Sequence, residues 1–262
     1  MMGEYRQRLD DALVERHLVE TRSQARAFIL AGHVTVNGAR VDKAGSITRT
    51  ADDISLTDRP RFVSRGGEKL SHALDIFGID AQGRTAADVG ASTGGFTDCL
   101  LQHGAGRIFA IDVGYGQLAE RLRIDARVQI VDRTNVRHLA DLPDRPSLVT
   151  IDVSFISLQL VFPVIAGWLN PGGICVPLIK PQFEAGRKDV GKGGVVRDPA
   201  VRRRVLVETL GAAKLAALGV EGLTTSPLRG PAGNTEYLGH LVKGGPGVDI
   251  DQLVNGLQHA DE

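Results

Sequence analysis

The stretch DVGASTGGFTD, residues 88–98, decides the fold of this 262-residue chain, because it joins an apolar strand pattern to a helical pattern. Gly90 allows a tight turn and a close approach by a ligand, and Gly94 and Gly95 let the next helix present its N–H groups. The stretch lacks the Gly-Lys-Ser/Thr ending of a phosphate-binding P-loop, which argues against ATP hydrolysis. Ser92 takes the second glycine position of the dinucleotide motif, so a smaller ligand with an adenosine and an amino-acid group fits better.

Strands and helices alternate on both sides of this turn. The predicted strands are 85–89, 107–113, 128–131, 148–153, 174–179, 220–226 and 236–242, and the predicted helices are 69–77, 94–103, 158–169 and 198–218. This alternation predicts an α/β fold with a mostly parallel seven-stranded sheet and helices on both of its faces. No element is predicted after residue 244.

Polar residues follow several predicted strands, at the sheet edge where ligands of such folds bind. Asp112 ends the second strand, where a carboxylate can accept both ribose hydroxyls of a nucleoside. The segment 132–135 follows the third strand and is placed to face the adenine. The expected cofactor-binding residues are therefore Gly90, Ser92, Thr93, Gly94, Phe96, Asp112, Asp132 and Asn135.

Two lysines and two carboxylates stand at further informative places. Asp152 and Lys180 end apolar strands, Glu236 begins the last strand, and Lys69 lies on the helix that enters the sheet. Charged groups flanked by such apolar runs are partly buried and need partners. We therefore expect these four side chains to meet at the carboxyl edge of the sheet.

The first 57 residues form a different pattern, of two helices and a hairpin. Helices are predicted at 8–17 and 22–31, and two short strands flank the turn-forming pair Asn37-Gly38. Arg22 and Arg26 stand four residues apart and project from one helix face. This segment has eight basic and eight acidic residues, so contact with RNA depends on which face carries the arginines.

Three sets of motifs resemble known families. The "RLD" start at residue 8, TRSQA at 21–25 and the hairpin GHVTVNG at 32–38 resemble the S4 RNA-binding domain. The glycine loop, Asp112 and NPGG at 170–173 resemble class I methyltransferases that use S-adenosylmethionine. The residues Lys69, Asp152, Lys180 and Glu236 match the tetrad of FtsJ-type ribose 2′-O-methyltransferases. With KPQFE at 180–184, residues 5–243 are similar as a whole to the TlyA family of hemolysin-like rRNA methyltransferases.

The resemblance implies a domain plan and a substrate. It implies an α+β S4-like domain at 1–57, a basic linker at 58–69, a class I, Rossmann-like methyltransferase domain at 70–245 and a tail at 246–262. S-adenosylmethionine is the implied cofactor, cytidine ribose in 16S and 23S rRNA the implied substrate, and ribosomal subunits the implied partners. The expected RNA-binding residues are Arg8, Arg22, Arg26, Arg65, Arg187, Lys188 and Lys192.

The chemistry assigns roles to the tetrad. A ribose 2′-hydroxyl is a poor nucleophile until its proton leaves, so the enzyme must orient the oxygen and assist that departure. We expect Lys180 to orient the hydroxyl and act as the base, Asp152 and Glu236 to position Lys180, and Lys69 to anchor the nucleotide. Alternatively, Lys180 stays charged and stabilises the developing alkoxide while water carries the proton away.

The composition of the chain excludes several other classes of protein. Lys+Arg and Asp+Glu are both 31, which excludes a uniformly basic surface, and no stretch resembles a signal peptide or a spanning helix. Two distant cysteines predict neither a disulfide framework nor a metal site, and with these absences they predict a soluble cytoplasmic protein. Two alternatives remain: a membrane-lytic hemolysin, and a non-catalytic RNA-binding ribosome-assembly factor. The sequence leaves the modified nucleotide, the choice of ribosomal subunit and the oligomeric state open.

Overall fold

The chain folds as two compact units, Met1–Pro60 and Arg61–Glu262. The computed structural model describes residues 5–30, 32–56 and 61–260, with side chains up to residue 257. The expected linker at 58–69 lies partly outside the described residues, and its remainder belongs to the second unit. Phe62 is buried in that unit's core, and a helix already begins at Gly66. Gly67 of this helix lies against the Phe62 ring, where a Cβ atom would collide.

The first unit has two helices and two small sheets. Its elements are β1 (Arg6–Arg8), α1 (Leu9–Glu15), α2 (Arg22–Leu30), β2 (Val34–Val36), β3 (Ala39–Arg40), β4 (Ile47–Arg49) and β5 (Ile54–Leu56). Strand β1 pairs with β4, and the second sheet has the order β3-β2-β5. Both sheets are antiparallel.

The predicted hairpin and helical faces of this unit are present. Asn37 and Gly38 have φ angles of 51° and 78°, as a two-residue turn with two left-handed positions requires. Leu9 and Leu13 of α1 pack against Ile29 of α2 in a small apolar core. The apolar residues that repeat with helical spacing therefore face the core of this unit, as predicted.

The second unit contains one large sheet flanked by helices. Its elements are α3 (Gly66–Phe77), β6 (Thr85–Val89), α4 (Gly95–Gln102), β7 (Arg107–Ile111), α5 (Glu120–Arg123), β8 (Val128–Val131), β9 (Leu148–Ile151), α6 (Phe162–Trp168), β10 (Ile174–Ile179), α7 (Pro181–Glu184), α8 (Pro199–Leu215), β11 (Leu218–Thr225), β12 (Tyr237–Lys243) and α9 (Ile250–Ala260). The seven strands have the order β11-β12-β10-β9-β6-β7-β8. Strand β12 is antiparallel to both of its neighbours, and the other pairings are parallel. The predicted mostly parallel seven-stranded sheet is confirmed.

Alternate strand residues divide the interior of this unit into two cores. Ala86 of β6 packs into the core that α3 and α4 cover, and the next residue, Ala87, packs into the core that α6 and α8 cover. This alternation follows from the period of two residues along a strand. It leaves the two ends of the sheet, and not its faces, free to bind ligands.

Several helices differ from the prediction. The predicted helix 158–169 is α-helical from Phe162 to Trp168, and Leu158–Leu160 form a short 3-10 helix before it. Helix α8 ends at Leu215 instead of at Leu218, because Ala217 takes a left-handed φ of 60° and Leu218 already lies in β11. Helix α9 occupies the expected tail, with Val254 fully buried against the second unit's core. None of the described helices is long and apolar enough to cross a membrane.

Candidate active site

The first part of the site is a cavity at the carboxyl ends of β6 and β9, where the order of connected strands reverses. The backbone N–H of Asp152 donates to the carbonyl of Val89 at 2.8 Å, so Asp152 and Gly90 face each other across this point. Gly90 has a φ of 85°, and a Cβ atom there would lie 2.5 Å from the Asp152 carbonyl oxygen. Only glycine fits this crossing without strain. The adjoining cavity measures about 740 Å³, within the range of small-molecule sites.

Asp112 lies on the wall of this cavity, held by backbone donors. Its Oδ2 accepts the Ser92 N–H at 2.8 Å, and its Oδ1 accepts the Gly114 N–H at 2.7 Å. A carboxylate has about four acceptor positions, so it can still accept hydroxyl groups. Asn135 also lines the cavity, with its Oδ1 fixed by the Arg137 N–H at 3.1 Å. The space and the acceptors fit a nucleoside-bearing cofactor.

Not every expected cofactor residue reaches this cavity. Phe96 lines the neighbouring cavity instead, and Thr93 and Gly94 lie in the turn that packs towards α5. A Cβ atom on Gly94 would collide with Leu122, so this glycine serves the packing of the loop. The Asp132 carboxylate accepts the Gly116 N–H at 2.9 Å and fastens a neighbouring loop.

The four residues of the expected tetrad line a second cavity of about 720 Å³, which shares Gly90, Asp152 and Phe155 with the first. They form two separate ion pairs. Lys180 Nζ lies 2.6 Å from Asp152 Oδ1, and Lys69 Nζ pairs with Glu236 Oε2. The sequence predicted that Asp152 and Glu236 both position Lys180. In the structure Asp152 pairs with Lys180, whereas Glu236 pairs with Lys69.

The pairing of Glu236 follows from the strand alternation. Strand β12 runs against β10, with Tyr237 opposite Ile179, so its first residues lie at the carboxyl edge of the parallel strands. Glu236 shares a face with Leu238, which packs into the core beneath α3. Lys69 projects from α3 into that face, and Glu236 is only 1% exposed there. A buried carboxylate at this place needs the lysine as its partner.

The loop that follows Asp152 was not predicted to belong to the site. Lys180 Nζ donates to Ser154 Oγ at 3.1 Å, and Phe155 lines both cavities with 90% of its surface exposed. The Phe155 ring lies 4.9 Å from that of Phe183, centroid to centroid. The position of this loop could have indicated a role in the site, because residues immediately after a strand's carboxyl end lie where ligands bind.

Glu184 of the KPQFE segment holds this loop in place. Its Oε2 accepts the Ser157 hydroxyl at 2.6 Å, and its Oε1 accepts the Leu158 N–H at 2.9 Å. Burial raises the pKa of Glu184, while these two donors oppose the rise. The loop that carries Phe155 is therefore tied to the helix that follows Lys180.

The expected RNA-binding arginines of the first unit surround one carboxylate. Asp10 is fully buried and accepts Arg8 at 2.8 and 2.9 Å, and Arg22 and Arg26 at 3.2 Å each. The Arg8 guanidinium is the largest cause that lowers the pKa of Asp10. The three arginine side chains remain about half exposed, so they present their outer N–H groups to solvent.

The other expected RNA-binding residues lie in the second unit. Arg65 lines the tetrad cavity and donates to the Arg229 carbonyl at 2.8 Å. Arg187, Lys188 and Lys192 are exposed on the loop between α7 and α8. The two cysteines, Cys99 and Cys175, are buried, and burial raises the pKa of both thiols.

The strand order with one antiparallel strand, the glycine turn after β6 and the acid after β7 define the class of S-adenosylmethionine-dependent methyltransferases. Residues 62–243 match the family model of the FtsJ-like methyltransferases, and residues 7–54 match that of the S4 domain. The chain therefore belongs to the FtsJ-like methyltransferase family, in its TlyA branch. S-adenosylmethionine is the cofactor of this family.

Individual relatives cover nearly the whole chain. The "16S/23S rRNA (cytidine-2'-O)-methyltransferase TlyA" of Mycobacterium tuberculosis is 45% identical over 236 residues, 88% of each chain. The "23S rRNA (cytidine-2'-O)-methyltransferase TlyA" of Campylobacter jejuni is 32% identical, over 89% of this chain and 98% of its own. The solved structure of a candidate hemolysin from Streptococcus thermophilus superimposes with a TM-score of 0.75 at 39% identity, over 98% of this chain and 99% of that one.

Proposed function

We propose that this chain methylates the 2′-hydroxyl of a cytidine ribose in rRNA, with S-adenosylmethionine as methyl donor. The observation that carries the proposal is the second cavity, where both lysine–carboxylate pairs stand beside the cofactor cavity. The names of the relatives support the cytidine and the rRNA. From this proposed ribosomal substrate we infer a cytoplasmic location.

The bound cofactor would supply a methyl carbon activated by the positive charge on sulfur, and Gly90, Ser92, Asp112 and Asn135 would hold it. Lys180 would then orient the target oxygen. Its Nζ lies 2.6 Å from Asp152 Oδ1 and donates to Ser154 Oγ at 3.1 Å. An ammonium has three N–H donors, so Lys180 can also donate to the 2′-oxygen and stabilise the negative charge that builds there as its proton leaves.

The pairing with Asp152 favours a charged Lys180 over a neutral lysine acting as base. A carboxylate at 2.6 Å stabilises the ammonium form directly. The proton of the hydroxyl would then pass to water. A charged Lys180 predicts that replacement by arginine keeps part of the activity, whereas a base would be lost with that change.

Lys69 and Phe155 would position the nucleotide. Lys69 keeps further N–H donors beyond its pair with Glu236, and it faces the same cavity as Lys180. The exposed ring of Phe155 offers a face on which a base can stack when it is turned out of its helix. Both contacts act on the nucleotide and not on the methyl group.

The experiment that tests the proposal maps ribose methyl groups by mass spectrometry in rRNA from cells with and without this protein. One cytidine or more should lose its 2′-O-methyl group in the cells that lack it. Complementation with Lys180→Ala should leave the site unmethylated, and the exposed Lys214→Ala of α8 should restore it. Identical methyl maps with and without the protein would contradict the proposal.

A further inference from the structure

A third cavity adjoins the tetrad cavity and is lined by arginines. It measures about 380 Å³ and lies between the loop that leads into α8 and the loop that leads into β12. Arg197, Arg202 and Arg229 line it, with Thr235 and small or apolar residues as the remainder, so no carboxylate contributes to its wall. Arg229 and Ala232 also line the tetrad cavity, so the two cavities share a wall.

The three guanidinium groups have no acidic partner among the described parts of the chain. Arg202 donates to the Arg197 carbonyl at 2.8 Å, and Arg229 donates to the Gly233 carbonyl at 3.3 Å. These bonds fix the side chains but leave their charge unbalanced. The two arginines that follow Arg202 differ, because Arg203 pairs with Asp251 at 2.5 Å and Arg204 with Asp189 at 2.6 Å.

A buried asparagine joins the two loops that form this cavity. Asn234 is 2% exposed; its Oδ1 accepts the Val196 N–H at 2.9 Å, and its Nδ2 donates to the Gly194 carbonyl at 2.8 Å. Its own carbonyl accepts the Gly230 N–H at 2.9 Å. The arginines are therefore carried on loops that are fastened to each other.

We propose that this arginine cavity, formed by Arg197, Arg202 and Arg229, binds a backbone phosphate of the RNA next to the target nucleotide. Guanidinium groups suit phosphate oxygens, because they offer paired N–H donors and a permanent charge. The shared wall places the phosphate beside the nucleotide whose ribose enters the tetrad cavity. The inference rests on the proposed function, since it assigns a second subsite to the same RNA.

The test uses the full-length protein with single variants Arg202→Gln and Arg229→Gln, their double variant and the Lys counterparts Arg202→Lys and Arg229→Lys. Arg203→Gln is the matched control, because it removes a neighbouring arginine of α8 whose charge is already paired. The substrate is ribosomal subunits purified from cells that lack this protein. The measured quantity is kcat/KM for methyl transfer as a function of salt concentration.

The Gln variants should lower kcat/KM about tenfold at low salt while kcat at saturating subunits stays within about twofold. The plot of log kcat/KM against log salt should become shallower by about 0.7 for one lost phosphate contact. The Lys variants should keep most of the wild-type slope, because they keep the charge. If a Gln variant folds poorly, the corresponding Lys variant still tests whether the charge at that position is needed.

A double variant with the slope and KM of the wild type would overturn the arginine cavity as a phosphate site. A change in slope equal to that of Arg203→Gln would overturn it as well. If the wild type methylates neither subunit, the proposed function fails, and the same salt series is then measured on subunit binding. In that case an altered slope supports the phosphate site and an unaltered slope rejects it.

Discussion

At the scale of single residues, Phe155 combines an unusual backbone with an unusual exposure. Its φ of 64° lies in the left-handed region, which costs an L-residue with a side chain about 1–2 kcal/mol. Its ring packs on Phe183 and lines both cavities. A strained residue with an exposed aromatic ring at a cavity mouth indicates a binding role, because neither feature stabilises the fold.

Replacing Phe155 by alanine should therefore lower activity and leave stability unchanged. We expect kcat/KM for methyl transfer to fall about 10-fold or more, since stacking on a base contributes about 1–3 kcal/mol. The free energy of unfolding should change by less than about 0.5 kcal/mol. Phe155→Tyr keeps a stacking face and serves as the control. An alanine variant with wild-type kcat/KM would exclude a stacking role.

Asp88 lies under the glycine turn and is buried, with no ion pair to any residue that the structure describes. Burial raises its pKa to about 7 from 3.8, although Thr97 donates to it at 2.7 Å. A carboxyl with a raised folded pKa gives its full stability below the unfolded pKa, and this stability is lost as pH rises towards 7.

Asp88→Asn removes this titration. Relative to the wild type, the variant should gain about 1.4 kcal/mol of unfolding free energy for each pH unit between about pH 4 and 7. Urea unfolding at several pH values measures the difference. The exposed Asp141→Asn is the control and should follow the wild type. A constant difference between Asp88→Asn and the wild type across this window would show that Asp88 is ionised throughout.

At the scale of elements, one carboxylate joins a strand and two helices of the first unit. Asp10 of α1 holds Arg8 of β1 and Arg22 and Arg26 of α2 by charge-assisted hydrogen bonds. Its folded pKa is lowered, so the stability that it gives is present above about pH 4 and is lost as pH falls. The same contacts determine where the three guanidinium groups point.

Asp10→Ala should loosen these elements and weaken RNA binding together. Removing charge-assisted hydrogen bonds from these half-exposed arginines costs about 2 kcal/mol, so amide hydrogens of α1 and α2 should exchange about 30-fold faster. Asp11→Ala is the matched control, because Asp11 is 42% exposed and its ion pair contributes little. Unchanged exchange in Asp10→Ala would mean that the arginines are held by other contacts.

At the scale of the whole molecule, the cavities and the S4-like segment lie in different units. The cofactor cavity, the tetrad cavity and the arginine cavity all lie within Arg61–Glu262, which has its own cores. The first unit carries the S4 match and the Asp10 cluster. We therefore expect cofactor binding to be separable from the RNA contacts of the first unit.

A protein that consists of residues 61–262 should bind S-adenosylmethionine with an affinity within about twofold of the full chain, because every cavity residue is present. Its kcat/KM for methylating ribosomal subunits should fall by more than about tenfold, since the basic contacts of the first unit are lost. Calorimetry and labelled methyl transfer measure the two quantities. Full activity on subunits would show that the first unit is dispensable for recognition.

Local sequence patterns were enough to predict the strands, the main helices and the edge of the sheet at which the site lies. The glycine turn at residues 88–98, the strand ends at Asp112, Asp152 and Lys180, and the hairpin at Asn37-Gly38 depend on local patterns, which a single chain displays directly. Helix α9 also has a pattern in the sequence, since Ile250, Leu253, Val254 and Leu257 are spaced as on one helix face. It was not predicted, because Asn255 and Gly256 lower the helix propensity of the segment.

The pairing of the charged side chains, by contrast, depends on the three-dimensional packing of the chain. Glu236 pairs with Lys69 because strand alternation turns it towards α3, and Arg22 and Arg26 converge on Asp10 because the two helices pack together. Arg202 lacks the acidic partners that Arg203 and Arg204 find on distant segments. These pairings depend on register and packing between residues far apart in sequence, and no local pattern encodes them.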